Sequence, residues 1–480
     1  MRHGMRARAL RRPRIAPGRL CSSTVAVLLG GAALFPLLLR PALAQTSGPQ
    51  PLGNLPSPGA LPGDINTNPA KSDSRSVAVS NDGSVAVGLN AYTGDGASQQ
   101  EAFRWTSSGG IVGLGYLSQN VVKKASQANG VSADGAVVVG ASTADPAQAG
   151  NVLGFDTQAF RWTAGSGLQG LGYLPSTGIY KTSVASAISA DGQTIVGLSS
   201  SSNPGGTIFR WTQAAGMVAL PDKIAGYTGN YGVNSISADA SKIEFHSGDV
   251  DLKTFQRTYF TELYTSGSGW QRISDFSSKA MSGDGTVIAG VIPRAVDNPL
   301  LRGAYWTSAG GITKIDSSVG DLGIATFAIP AAINYNGKII VGTETTAGIQ
   351  ADGTAFRWTQ ATGTKPLGTL LKGAGVDLGN YFLASADAIS ANGQTIAGRM
   401  AVGQTGYVGY ILRYIDASSA DANVGRTAAS SVTPVVTPVV TPVTPVVTPP
   451  PAATPVVTPV AAPTQSWRQP RSWPQSSRRS

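Results

Sequence analysis

Two kinds of charged side chain recur along this chain in fixed phrases, and each could bind a ligand or move a proton. An aspartate stands in Ser80-Asn81-Asp82-Gly83 and again at Asp134, Asp191, Asp239 and Asp284, with Asn336 and Asn392 at the same place in two later copies. An arginine stands between aromatic residues in Phe103-Arg104-Trp105, again at Arg161, Arg210 and Arg357, and as Arg413 in a weaker copy. A ligand array, or a repeated ion pair, requires the two positions to vary together. They do not: Asp239 and Asp284 persist where the arginine gives way to Leu263 and Tyr305, while Asn336 and Asn392 accompany Arg357 and Arg413. What Asp and Asn share is turn chemistry, so a turn role is expected for that position. For the arginines, stacking on Trp or bonding to backbone carbonyls at sheet edges is expected.

The densest mixture of charge lies elsewhere, in Lys242-Ile243-Glu244-Phe245-His246 followed by Asp249, Asp251, Lys253 and Arg257. This stretch breaks the local pattern of the other copies, and functional sites are where such departures concentrate. Two facing carboxylates drawn from Glu244, Asp249 and Asp251 would suit glycoside hydrolysis, which needs neither cysteine nor histidine. Asp249 and Asp251 are also spaced as a calcium pair, which is too little for a site by itself. No metal and no cofactor is expected. A third set is aromatic: Tyr180, Tyr227, Tyr231, Tyr381 and Phe382 fall on the connections between repeats, where rings over a rigid scaffold suit sugar or protein surfaces. With His246, Asp249 and Asp251 they make up the expected binding residues.

The elements that must position these residues follow from the period. Three phrases recur in the same order about every fifty residues, the spacing of a four-stranded propeller blade. The first phrase has seven copies, beginning at Val79, Val131, Ile188, Ile236, Met281, Ile333 and Ile389. Each is followed by an apolar run, and two β-rich runs joined by Asp-Gly or Asn-Gly make a hairpin. The Ala-Phe-Arg-Trp-Thr phrase supplies a third strand, with Phe and Trp on one side. A fourth strand is expected at 111–117, 168–174 and 365–370. The seventh unit stops near Ile415 without its fourth phrase, whereas Leu52-Gly53-Asn54-Leu55 stands alone ahead of the first unit. The expected fold is therefore all-β: a closed seven-bladed propeller of four-stranded blades. Residues 52–55 should complete the last blade beside 412–414, removing an open sheet edge. Long connections between strands two and three, and between blades, should share one face.

The formal charge of +10 belongs to the two ends. Residues 1–44 hold eight Arg and no acid, and 417–480 hold five Arg against Asp421, leaving 23 basic and 25 acidic residues between them, a near-neutral −2. No basic stripe remains to engage nucleic acid. Residues 1–44 read as an export signal, with an Arg-rich start, an apolar run from Val25 to Leu39 and a small-x-small site at Ala42-Leu43-Ala44. Removal of that segment takes away Cys21 and leaves His246 as the sole histidine, so disulfides and multi-histidine metal sites are not expected. The repeats should occupy 45–416, and 417–480, with its Thr-Pro-Val-Val repetition, should be a disordered extended spacer with a basic end.

The combination of Ser-Ala-Asp-Gly-x-x-Val-Val-Gly, Ala-Phe-Arg-Trp-Thr and Leu-Gly-x-Leu resembles the HAF-type extracellular repeat of exported bacterial proteins, over roughly Leu52 to Ile415. The resemblance implies export and a repeat architecture. Some relatives carry a C-terminal autotransporter barrel, where a Pro-rich tail is expected here. The functional expectation is an exported, non-catalytic and monomeric scaffold whose long-loop face binds a glycan or protein of the envelope or extracellular space. The alternatives are a carboxylate-based glycan-active enzyme and a purely structural surface-display protein.

Overall fold

The computed structural model describes residues 46–55, 72–92, 99–118, 124–144, 157–175, 181–200, 206–221, 231–250, 257–293, 302–318, 326–346, 353–402 and 406–416. They form seven four-stranded antiparallel sheets, each a simple meander in chain order, except that the last takes its outer strand from the N-terminal side. We label the blades one to seven and their strands a to d, a being innermost. The expected seven-bladed propeller is present, and so is its closure. Ser47–Pro51 is strand d of blade seven and pairs antiparallel with Tyr407–Arg413, with Ser47 opposite Arg413 and Pro51 opposite Tyr410.

The closing strand lies one step earlier than expected. Residues 52–55 follow the strand and enter the seam between blades seven and one, where Leu52 and Leu55 pack with Phe103, Trp105, Ala388 and Ile411. The same correction holds elsewhere, because strand d of blade two is only Gly167–Gly170 and the Leu-Gly-x-Leu phrase runs on past it. A serine opening the next inner strand explains why. Leu171 N still donates to Ala159 O of its own blade at 2.8 Å, but Ser183 Oγ donates to Gly172 O at 2.7 Å and accepts from Ala159 N at 2.9 Å, so from Gly172 on the phrase turns to the neighbouring blade. Ser74 and Ser126 hold Gly53 O and Gly115 O in the same way. In blade six the expected strand at 365–370 is replaced after Pro366 by a helix, Leu367–Gly373, whose Leu367 and Leu371 are buried. Apolar residues four apart share a helical face, and here that face meets the core.

The core lies between blades. Phe160 of blade two packs on Val85, Val87 and Ala102 of blade one, and Phe209 of blade three on Val137 and Val139 of blade two. The turns after the inner strands close into a circle of seven backbone hydrogen bonds. Asn81 N donates to Ala133 O, Ala133 to Ala190, Ala190 to Ala238 and Ala238 to Gly283. Asp284 N then donates to Tyr335 O, Tyr335 to Ala391, and Ala391 back to Asn81. No described helix is long and apolar enough to cross a membrane.

Candidate functional site

The recurring Asp and Arg are structural. In each turn the serine and aspartate staple the hairpin: Ser132 Oγ donates to Asp134 Oδ1 at 2.6 Å and accepts from Val137 N at 2.9 Å, while Ala136 N donates to Asp134 Oδ1 at 3.0 Å. Asn334 and Asn336 reproduce the arrangement, with Asn334 Nδ2 donating to Asn336 Oδ1 at 2.9 Å. The turn glycine also faces the preceding blade: Gly135 has φ +70° and a Cβ there would lie 2.4 Å from Val85 Cγ2. Arg104 Nε donates to the carbonyl of that same glycine at 3.1 Å, across the blade seam. Blade four lacks the arginine, and Lys242 Nζ reaches the equivalent carbonyl of Gly285 at 2.7 Å instead. Arg357, buried, pairs with Asp416 at 2.9 Å and ties the exit of the last blade to blade six.

The inner strands build a different feature. Every one of them carries a β-bulge against strand b, at Val77, Asn129, Ser186, Asn234, Lys279, Ala331 and Asp387. Each lies three residues before the turn serine or asparagine. A bulged residue has no partner across the ladder and its side chain is re-aimed. All seven line an axial channel of about 700 Å³. Toward the turn face the wall is aliphatic, with Val79, Val131, Ile188, Ile236, Met281 and Ile389; toward the other face it carries Arg75 and Gln127. The bulge layer between them is the chemically varied one, holding two amides, a hydroxyl, an ammonium and a carboxylate.

Blades four and five supply the most connected part of this wall. Asn234 Nδ2 donates to Glu244 Oε1 at 2.9 Å and to Ser278 O at 3.0 Å, and its Oδ1 faces His246 Nδ1 at 3.0 Å. A backbone carbonyl only accepts, so the amide orientation is settled and His246 must carry its proton on Nδ1. Gly232 makes room for the ring, since a Cβ there would lie 2.3 Å from His246 Cε1. Ser235 Oγ donates to Glu244 Oε2 at 2.6 Å. Burial pushes the Glu244 carboxyl above its usual range, against the pull of these donors and of Lys279. Burial pushes the His246 imidazole down, and Lys279 adds to that shift. Across the ring Asp387 is raised by burial, opposed by Arg75, whose Nε lies 3.6 Å away.

The expected site residues whose positions are described lie on strands of blades four and seven. Tyr180, Tyr227 and Asp251 lie outside the described residues. Tyr231 opens strand a of blade four and Asp249 falls near the end of strand b, and of these two only the backbone is described. Tyr381 and Phe382 are exposed neighbours at the start of strand a in blade seven. Among those whose side chains are described, His246 is the one that joins a polar cluster. Glu244 and Asp249 do not make the expected pair of catalytic carboxylates: Glu244 is fully buried in its hydrogen bonds, and Asp249 lies five residues further along the strand, about 16 Å at 3.3 Å per residue. Sequence reasoning missed Arg75, Asn129, Asn234, Lys279 and Asp387. The available signal was that the position three before the turn serine changes chemistry from copy to copy while its surroundings do not.

No family model and no curated protein sequence matches the chain. Among solved structures it is similar to the β-propeller domain of the Trilobed protease from Pyrococcus furiosus, with 7% identity, a TM-score of 0.47, and coverage of 71% of this chain and 95% of that one. It is also similar to dipeptidyl peptidase 4 from Porphyromonas gingivalis, with 11% identity, a TM-score of 0.42, and coverage of 74% and 53%. TolB from Acinetobacter baumannii follows with 13% identity, a TM-score of 0.33, and coverage of 50% and 53%. The chain thus spans about half the length of the dipeptidyl peptidase and TolB chains. At these identities the likeness shows the propeller fold alone. The expectation of a non-catalytic scaffold is withdrawn, and the likeness, which shows the fold alone, assigns no activity in its place.

Proposed function

We propose that this propeller is the substrate-recognition element of a peptide-processing activity, taking short peptides into its axial channel. The observation that carries the reading is the bulge shared by all seven inner strands, which gives one layer with polar groups at five of its seven positions above an aliphatic floor. A ligand that suits such a wall combines an apolar side chain, backbone polar groups and charge of both signs within a few ångströms, which describes a short peptide. The near-neutral body and this mixed-sign collar favour it over nucleic acid. In the same reading the repeats are of the HAF type and residues 1–44 are an export signal, which a secreted form beginning at Gln45 would support.

Calorimetric titration of the full chain with a panel of leucine-containing tripeptides tests the proposal. Saturable binding with Kd of about 10 μM to 1 mM is expected for so small a ligand. Absence of heat up to several times that range, together with no change in melting temperature, would overturn it.

A further inference from the structure

Within the bulge layer most polar groups are already spent. Asn129 Nδ2 donates to Ala185 O at 2.8 Å and its Oδ1 accepts from Gln127 Nε2 at 3.1 Å. Asn234 is held at both ends by Glu244, Ser278 and His246. Asp387 accepts from Ser385 Oγ at 3.0 Å and faces Arg75. Lys279 differs: its side chain is exposed, and it makes no hydrogen bond or ion pair among the described residues. The groups that act on it from the packed elements are Glu244, already bonded to Ser235 and Asn234, and the neutral ring of His246.

We infer that Lys279 seats the free C-terminal carboxylate of the peptide, so that the site selects peptides with an unblocked C-terminus and an aliphatic last residue. The inference rests on the peptide reading above and adds to it the direction of binding. An ammonium group facing an anion in a partly dehydrated channel makes a charge-assisted bond about twice as strong as a neutral one. Depth fits as well: Met281 lies two residues beyond Lys279 on the same strand, about 6.6 Å nearer the turn face. It shares that level with Ile236 and Ile188. A carboxylate at Lys279 therefore leaves the last side chain over the aliphatic floor. The N-terminal end points to the mouth that carries Arg75 and Gln127, and Asp387 in the bulge layer already faces Arg75, so a free ammonium group is not required.

The test is a titration of the full chain with one tripeptide ending in leucine, in free, C-amidated and N-acetylated forms. Amidation should weaken binding about tenfold, because the hydrogen bond between two charged groups at Lys279 is lost. Acetylation should change it by less than about threefold, as for a group left in solvent. Lys279→Gln should remove the preference for the free acid without lowering the melting temperature, and Lys279→Arg should retain part of it. Equal binding of acid and amide to the wild type would overturn the inference while leaving peptide recognition standing, as would a preference that survives in Lys279→Gln. Failure of all three forms to bind would overturn the peptide reading itself.

Discussion

Two rings surround the axis of this propeller, three residues apart on every inner strand, and they behave in opposite ways. The turn ring repeats its residues: Ser and Asp, or Asn for either, followed by Gly or once Ala240, with the same hydrogen bonds in each blade. The bulge ring repeats its geometry and varies its residues, from Val77 and Ala331 to Lys279 and Asp387. Where the backbone requires a particular side chain, the copies keep it. Where the backbone needs only an extra residue, the side chain is open to chemistry. The difference teaches that in a repeat array the uniform position is a poor candidate for function, however reactive its residue type, and the variable position beside it a good one.

The comparison can be broken most forcefully at the turn ring. Gly135→Val places a branched side chain at φ +70° against Val85, and backbone strain with overpacking should cost about 3 kcal/mol or more in chemical denaturation. A tolerant variant would mean that the turns do not hold the circle together. Glu244 sharpens the contrast at the next level, since it braces the bulge ring from behind. Glu244→Ala leaves Asn234 and Ser235 without their acceptor and should cost about 2 kcal/mol, whereas Glu244→Gln keeps an acceptor oxygen.

The pH dependence separates these two cases. A carboxyl whose folded pKa lies above the unfolded value of 4.5 binds its proton more tightly in the folded state. Its contribution is full below that value and fades as pH rises through the raised folded pKa. Stability of the wild type relative to Glu244→Gln should therefore fall in urea titrations as pH rises above 4.5 through the raised folded pKa. A flat difference would show that Glu244 is ionised throughout. The smallest effect is expected for Asp134→Asn, within about 0.5 kcal/mol, because Asn336 and Asn392 already accept the same backbone bonds. A larger loss would give the carboxylate a role beyond the turn.

Legibility followed the range of the interactions. The hairpin of each blade was readable because Ser132, Asp134 and Gly135 bond within five residues of one another. The arginine position was readable as a structural one, because it varied independently of the aspartate, but its bond across the blade seam, as from Arg104 to Gly135 O, came only with the structure. The Leu-Gly-x-Leu phrase was misplaced into strand d because its partners, such as Ser183 for Gly172, come from the next blade. The helix at Leu367–Gly373 was missed because repetition argued for a strand, while burial of Leu367 and Leu371 decided otherwise. His246 was singled out for the charge around it. What gives it a defined tautomer is Asn234, which looked in the sequence like any other strand residue.

The sequence by itself determined the number of blades, the order of strands within each and the need for an N-terminal segment to complete the last. All three depend on local phrases and on counting their copies. Only the tertiary structure decided where the channel lies and what lines it. A bulge is defined by two residues opposing one on a neighbouring strand, and Val77, Asn129, Ser186, Asn234, Lys279, Ala331 and Asp387 share no side-chain property that would announce it. Their common direction toward the axis arises from ladder pairing and ring closure, which bring together seven positions spread over about three hundred residues of chain.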